Sequence, residues 1–369
     1  MKQTATHTAL PGQTLAKSVV NKDGMVILSA GTELTEQYIR RLKKLGISDI
    51  FVRREEAAPP ASGRSPEPYP QPFARRQSME ASGMAVKKTM NDLKENQSVQ
   101  KRLSVPSLGY RFSGLYRKLL DEAAGHPYIM SQLVRLHQKD PFLFEHTMHV
   151  SVFATIVGFA NRYSEQQLYD LFVSSLLFDI GMLNVPDRLY RKAGRLTAAE
   201  RERIEYHTID GHQMLAARSD LPRAAAACAL QHHERFDGSG YPFRIRKNEL
   251  HEFPQIIGIA DLYDALVSKR HYRNPFTPGD AIEFLLGSGD RLFDLSFVQL
   301  FVRHVSIYPL GSRVLLNSGQ IAVIEAVDPS FVQRPVVKVI QEPDGKPAKY
   351  PYEIDLKSRL EVVIADVLP

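Results

Sequence analysis

The sequence contains almost no cysteine, which limits how the fold can be held together. Its 369 residues include one cysteine, Cys228, and no tryptophan. A single cysteine cannot form an internal disulfide, so the composition fits a reducing compartment. Cys228 lies in the run AAAACAL, where we expect it to act as a small buried apolar side chain.

Long apolar runs are missing as well. No stretch reaches the roughly 18–20 uninterrupted apolar residues of a membrane span, and the N-terminal MKQTATHTAL lacks the apolar core of a signal peptide. We therefore predict a cytoplasmic protein without membrane insertion. The net charge of +6 permits an anionic ligand such as a nucleotide, although solvated lysines and arginines explain it without one. We do not expect a nucleic-acid partner.

Proline marks the clearest domain boundary. The segment EEAAPPASGRSPEPYPQPFARRQS has too few amide donors for a helix or a sheet, which predicts an exposed linker over residues 55–84. Upstream, short strands and one helical stretch predict an α+β accessory module at residues 1–54. Downstream, apolar residues recur at three- and four-residue steps among basic ones, which predicts a basic helix at 85–106. That helix either packs within its own chain or pairs with a second copy.

The rest of the chain divides into a helical part and a β part. Residues 107–306 have helical periodicity interrupted by prolines and no strand signatures. Residues 307–369 contain short β-rich runs separated by turns such as Asn317-Ser318-Gly319. We therefore predict a mainly α protein, with an all-helical core between the small N-terminal α+β module and a small C-terminal β module.

Metal-capable side chains recur through the helical part. Successive members of the set are about 25 to 33 residues apart, apart from one adjacent histidine pair. The members are His146, Asp179, His207, His232, His233 and Asp261. Such a gap allows one helix out and one helix back, so the side chains can converge on one cavity. Imidazole and carboxylate are ligands that divalent Mn, Fe or Zn accept. Each histidine alone is explained by a structural role, but the set predicts a metal site.

The histidine pair also begins a distinctive loop, HHERFDGSGYP, at residues 232–242. Neighbours on a helix diverge by about 100°, so two ordinary surface histidines are rarely adjacent. The crowded glycines and proline predict a tight turn with exposed backbone. The residues expected to form this interaction loop are Asp237, Gly238, Gly240, Tyr241 and Pro242.

With this loop, the sequence resembles the HD-GYP family, phosphodiesterases of the HD superfamily that hydrolyse the bacterial second messenger cyclic di-GMP. The resemblance covers roughly residues 107–306. The matching segments are FEHTMHV, LLFDIGMLNVPDRL, EYHTIDGHQML, HHERFDGSGYP and IGIADLYDALVSKRHYR. The flanking modules also resemble extensions carried by some bacterial members.

The resemblance implies two adjacent metal positions that share Asp179. The ligands of the first are His146, Asp179 and Asp261, and those of the second are Asp179, His207, His232 and His233. Asp179 and Asp261 are thereby the implied catalytic carboxylates, and the implied cofactor is a divalent metal such as Fe or Mn, one or two per chain. Arg270 and Arg273 match positions that bind the ligand's phosphates, although solvation or pairing with Asp261 or Asp264 also accounts for two arginines here.

Three positions depart from the family pattern. Phe178 replaces the histidine of the HD motif, Met182 replaces a lysine, and Phe142 replaces a glutamate that some members use for a third metal. Phenylalanine cannot bind a metal, so the first metal position is weakened. His149, one helical turn after His146, is an alternative source of the missing imidazole.

These departures leave two interpretations of function. The first is a metal-dependent cyclic di-GMP phosphodiesterase that forms pGpG or GMP with reduced activity. The alternative is an inactive HD-GYP module that binds cyclic di-GMP or docks onto GGDEF-domain proteins through the loop at 232–242. Either version is expected to be a bacterial signalling protein, and a homodimer is compatible with both.

Overall fold

The computed structural model describes most of the chain. The described residues are 2–17, 19–20, 26–28, 32, 34, 38–39, 42–43, 47–52, 72–95, 98–104, 106–192, 194–268, 275–328 and 330–368. The chain forms two compact units, residues 1–71 and 72–369. Most of the predicted proline-rich linker, and the phosphate-binding candidates Arg270 and Arg273, lie outside the described residues.

The first unit contains two small antiparallel sheets. Strand β1 (Lys2–Ala5) pairs with β4 (Asp49–Val52), and β2 (Val19–Val20) pairs with β3 (Val26–Leu28). Apolar side chains of these strands are buried, among them Leu28 and Ile50, and Leu15 is completely buried. These four short strands account for the β-rich runs in the sequence of the predicted N-terminal module.

The second unit begins with a series of helices. Their bounds are α1 Pro72–Glu95, α2 Ser98–Lys101, α3 Pro106–Gly125, α4 Pro127–Lys139, α5 Pro141–Ala160, α6 Glu165–Leu177, α7 Asp187–Tyr190, α8 Ala198–Glu205, α9 His207–Ala216, α10 Arg223–Gln231, α11 Glu252–Val267, α12 Pro278–Leu286 and α13 Leu295–His304. Two 3-10 helices, Ile180–Asn184 and Lys247–Glu249, connect neighbouring elements. The mainly α fold predicted from the sequence is confirmed.

Helix α1 corrects one predicted boundary. The linker was expected to extend to residue 84 and the basic helix to cover 85–106, but α1 starts at Pro72 and ends at Glu95. Proline is tolerated at the first position of a helix because the amide it lacks has no intrahelical partner there. Val86 and Met90 are buried in the core of the second unit. The helix therefore packs within its own chain.

The short segment that follows α2, near the start of this unit, contacts the end of α13. Leu103 forms a β-bridge with Val305, and its side chain is buried. Ser104 N–H donates to the His304 carbonyl at 2.9 Å, and Ser306 N–H donates to the Arg102 carbonyl at 2.8 Å. The chain that precedes the predicted helical core is thus hydrogen-bonded to the end of α13.

Helix α5 forms the centre of the helical core. Asp140 caps its first turn by accepting from Phe142 N–H at 2.9 Å, and Pro141 occupies the first helical position. Among the described residues, α5 is the one helix long and apolar enough for a membrane span, but 78% of its apolar window is buried. Burial against neighbouring helices explains this apolar composition. Cys228 is also buried, which raises the pKa of its thiol to about 12.

The second unit ends in a five-stranded antiparallel sheet. Its strands are β5 Arg313–Leu316, β6 Ile321–Ala326, β7 Val336–Gln341, β8 Pro347–Asp355 and β9 Ile364–Leu368, in the spatial order β8-β7-β6-β5-β9. Gly319, in the turn between β5 and β6, has a φ of +89°, which glycine adopts at no steric cost. Val314 and Val337 belong to the same apolar core as the helices. The predicted C-terminal β module is therefore present.

Candidate metal centre

The six metal-capable residues come from the ends and interiors of five helices. His146 lies within α5, Asp179 follows α6, His207 begins α9, His232 and His233 follow α10, and Asp261 lies within α11. The structure places them in two groups. Asp179 and the histidines at 207, 232 and 233 form one group, while His146 and Asp261 belong to the other.

The first group contains three imidazoles whose candidate ligand atoms all lie within 4.8 Å of one another: His207, His232 and His233. His207 Nδ1 contacts the Ile204 carbonyl at 2.6 Å, and His232 Nδ1 contacts the Cys228 carbonyl at 3.1 Å. A carbonyl oxygen only accepts, so each Nδ1 carries a proton. Nε2 is therefore the ring atom of each histidine that can offer a lone pair to a metal, and these two Nε2 atoms are 3.3 Å apart.

Burial keeps the histidine pair neutral. Burial, reinforced by the neighbouring His207, lowers the pKa of His232 to about 3. Burial, together with the charges of His232 and His207, holds the pKa of His233 well below its usual value. Neutral imidazoles whose ring nitrogens converge can offer their lone pairs to one cation. The residues present therefore fit a divalent metal.

Asp179 reaches this cluster because the backbone next to it comes unusually close to α9. Its Oδ1 lies 3.2 Å from His207 Nε2. Two residues later, a Cβ at Gly181 would lie 1.9 Å from the His207 carbonyl oxygen. Only glycine permits this approach, so the glycine of FDIG positions the carboxylate beside the imidazole.

The second group is an ion-pair cluster around His146. Its Nδ1 lies 2.7 Å from Asp264 Oδ2 and its Nε2 lies 3.0 Å from Asp261 Oδ1. Because ionised carboxylates only accept, both ring nitrogens donate and the imidazole is protonated. Burial lowers the pKa of His146, but the hydrogen bonds and charges of the two aspartates outweigh burial and raise it to about 10.

His149 belongs to this second group. Its Nδ1 contacts Asp264 Oδ1 at 3.0 Å, while its side chain stays 38% exposed. Burial alone would raise the pKa of Asp264, but the hydrogen bonds from His146 and His149 lower it below its usual value. Asp264 thus orients two imidazoles, one buried and one at the surface.

Phe178 lies between the two groups. Its side chain is 1% exposed, and its ring makes edge-on contacts with His146 at 6.0 Å and His232 at 5.0 Å between centroids. The position implied for a metal-binding histidine is therefore filled by an apolar ring. Met182 packs partly buried against the core, and Phe142 is 37% exposed in the first turn of α5.

The loop after the histidine pair is held by a buried carboxylate, Glu234. It accepts from Phe243 N–H at 2.6 Å and Ile245 N–H at 2.9 Å. A Cβ at Gly240 would lie 2.3 Å from the His233 carbonyl oxygen, so glycine is required there. The Tyr241 ring stacks on His233 at 4.7 Å. The loop is therefore folded directly against the imidazole cluster.

The other members of the predicted interaction loop are Asp237, Gly238 and Pro242. Asp237 Oδ1 accepts from Ser239 N–H at 2.8 Å, Gly238 has a φ of +80°, and Pro242 is half-buried. Their arrangement is the tight turn expected from the sequence.

Two supporting residues were not among the predicted site residues. Asp264 lies three residues after Asp261 on α11, the spacing that places side chains on one helix face, so its position was available from the sequence. Glu234 gave no such signal. Its hydrogen bonds reach residues nine and eleven positions later in the chain, and only the folded loop brings these groups together.

Comparison with protein families matches two segments of the chain. An HD domain family matches residues 129–296, which include all six metal-capable residues. A family described as a KOW domain associated with HD domains matches residues 313–369, the segment of the five-stranded sheet.

Curated relatives with similar sequences are phosphodiesterases. The chain is 31% identical over 227 residues to a cyclic di-GMP phosphodiesterase of Pseudomonas aeruginosa, covering 60% of this chain and 54% of that protein. It is 34% identical over 145 residues to a cyclic di-GMP phosphodiesterase of Thermotoga maritima, covering 38% of this chain and 39% of that protein. The chain thus spans about half the length of the Pseudomonas relative.

One similar solved structure is an HDG"Y"P protein from Bdellovibrio bacteriovorus. It is 14% identical, covers 81% of this chain and 97% of that chain, and has a TM-score of 0.39.

Proposed function

The chain contains an HD domain of the HD-GYP family, and from this premise we propose that it is a metal-dependent cyclic di-GMP phosphodiesterase with one firmly held metal. The observation that carries this proposal is the cluster of three imidazoles within 4.8 Å. Backbone carbonyls contact the Nδ1 atoms of two of them, whose Nε2 atoms lie 3.3 Å apart. Cyclic di-GMP is the substrate named for several curated relatives.

The proposed ligands of this metal are Asp179, His207, His232 and His233. A divalent metal held by these residues would polarise a phosphodiester and lower the pKa of a bound water toward neutrality. The carbonyl contacts of His207 and His232 fix the tautomers of both rings. Tyr241 stacks against His233 and excludes water from that side of the cluster. Arg270 and Arg273 are proposed to bind the phosphates.

We expect reduced turnover because of the second group of residues, around His146. His146 and Asp261 are proposed as ligands of a second, weaker metal position. In the structure both nitrogens of His146 contact carboxylates, so a metal at this position must displace the proton that joins His146 Nε2 to Asp261. Phe178 removes one ligand and Met182 removes a cation. Each such group commonly contributes a few kcal/mol of transition-state stabilisation, so their joint loss predicts slow hydrolysis.

A second candidate function is binding of cyclic di-GMP without hydrolysis, or docking onto GGDEF-domain proteins through residues 237–242. The observation that favours it is the packing of Phe178, whose buried ring lies between His146 and His232. The ring fills the space between the two groups of ligands, so the centre is packed there by an apolar side chain in place of a ligand. A cytoplasmic signalling role fits both candidates, and both are compatible with a homodimer.

Hydrolysis and metal content, measured on the same preparation, separate the two candidates. Purified protein is dialysed, analysed for bound metal, and assayed for release of pGpG and GMP from cyclic di-GMP with added Mn or Fe(II). We expect slow hydrolysis that His233→Ala abolishes. The matched control is His7→Ala, which removes an exposed imidazole in the first unit and should change nothing. Tight ligand binding without any hydrolysis would support the second candidate instead.

A further inference from the structure

The segment after Tyr241 contains an arginine in a backbone conformation that arginine seldom adopts. Arg244 has a φ of +56°, in the left-handed region where residues other than glycine are uncommon. Its side chain is exposed. Within the part of the chain that the structure describes, no hydrogen bond or ion pair involves its guanidinium. The group is therefore available to bind an anion.

The buried carboxylate of Glu234 imposes this conformation. Glu234 is 2% exposed, and its two oxygens accept from the N–H groups of Phe243 and Ile245, the residues on either side of Arg244. Ile245 is itself buried at 8% exposure. Because the backbone is anchored on both sides, Arg244 cannot relax without breaking a charge-assisted hydrogen bond. Strain that is held in this way is concentrated at ligand clamps and active sites.

Arg244 lies at the edge of the imidazole cluster. It follows Tyr241, which stacks on His233, by three residues, and three residues of chain span at most about 10 Å. Glu234 directly follows His233, and its carboxylate accepts from the N–H groups of both residues that flank Arg244. The backbone at Arg244 is therefore held beside the imidazole cluster.

We infer that Arg244 binds a phosphate of the cyclic dinucleotide beside the metal centre, an inference that rests on the proposed function. The ligand carries two phosphodiester anions. A planar guanidinium binds such an oxyanion through two parallel N–H donors. Arg244 is thus a substrate-binding residue in addition to Arg270 and Arg273. It precedes α11 in the sequence, whereas the other two arginines follow α11.

The test uses a substitution whose effects on stability and on binding have opposite signs. Glycine adopts a positive φ at no steric cost, so Arg244→Gly should keep or raise the melting temperature. The same change should raise the KM and the Kd for cyclic di-GMP by about tenfold to a hundredfold, the effect of losing one charge-assisted contact. The kcat should change little. Arg244→Lys, which keeps the charge but loses the planar fork, should recover part of the affinity.

Arg162→Gly is the matched control. Arg162 is also exposed and also left-handed, with a φ of +60°, but it lies between α5 and α6. This control should reproduce the thermal effect and leave KM and Kd unchanged. Affinity near that of the wild type in Arg244→Gly would overturn the inference and leave the proposed function intact. Loss of affinity together with a lower melting temperature and no recovery in Arg244→Lys would also overturn it. A wild-type protein that neither binds nor hydrolyses cyclic di-GMP in Mn would refute both proposals.

Discussion

Replacing Phe178 with histidine should convert the centre toward two metals. The ring at this position already contacts His146 and His232, at 6.0 and 5.0 Å between centroids, so an imidazole there would lie between the two groups of ligands. We expect bound metal to rise from about one toward two per chain. Turnover of cyclic di-GMP should rise by about 10²-fold, the size expected when one further metal contributes Lewis acidity.

The stability of the variant should depend on metal. Phe178 is 1% exposed, so histidine would bury polar nitrogens where no water can reach, at a cost of about 1–3 kcal/mol when they find no partner. For a unit of this size, each kcal/mol corresponds to a fall of roughly 2–4 °C in melting temperature. A metal present at a hundred times its Kd stabilises the folded state by about 2.7 kcal/mol. The deficit measured in chelator should therefore almost disappear in Mn.

Elemental analysis, thermal melting with and without Mn, and initial rates of hydrolysis are measured on the same samples. Phe178→Leu is the control, because it loosens the same packing without supplying a ligand atom, and it should gain neither metal nor activity. If Phe178→His binds a second metal and remains as slow as the wild type, the missing imidazole is not what limits turnover. If the leucine variant is activated equally, packing rather than ligation is responsible.

Other substitutions test the remaining parts of the centre. His232→Ala should remove most of the bound metal, measured by elemental analysis after dialysis, and retained metal would mean that the ligands are misassigned. Changing both Arg270 and Arg273 to alanine should weaken cyclic di-GMP binding, measured by calorimetry, by more than His232→Ala does. Gly181→Ala would bring a Cβ to 1.9 Å from a backbone carbonyl of α9, so the melting temperature and the bound metal should fall together. Burial lowers the pKa of His212 below its ordinary value, so the unfolded state takes up this proton first and stability is lost as the pH falls below about 6.5. His212→Asn should lose less stability in that range, measured by chemical denaturation at several pH values.

Sequence patterns were sufficient to predict which imidazoles converge. His207, His232 and His233 lie far apart in the chain, but helices of ordinary length bring such positions to one place, and the three imidazoles do converge. The departure at Phe178 was also visible in the sequence. Its consequence depended on packing, because only the structure shows that its ring fills the space between the two groups.

Features that depend on tertiary contacts were not predictable in the same way. His146 was expected to be a metal ligand, and nothing in its spacing indicated that aspartates would contact both of its nitrogens. The start of α1 at Pro72 was obscured by the prolines before it, which argue against a helix. The left-handed conformation of Arg244 contradicts local preference, since it is imposed by hydrogen bonds to a residue ten positions earlier.

The bridge between Leu103 and Val305 sets a minimum time for folding during synthesis. The two partners are separated by about two hundred residues, which a ribosome adds in about 10–40 s at 5–20 residues per second. Throughout this interval the amide of Ser104 and the side chain of Leu103, both closed off by the end of α13 in the finished fold, lack their partners. Nascent chains arrested before residue 305 should therefore be cut by proteases near residues 102–104, while chains released after the sheet is made should resist cleavage there.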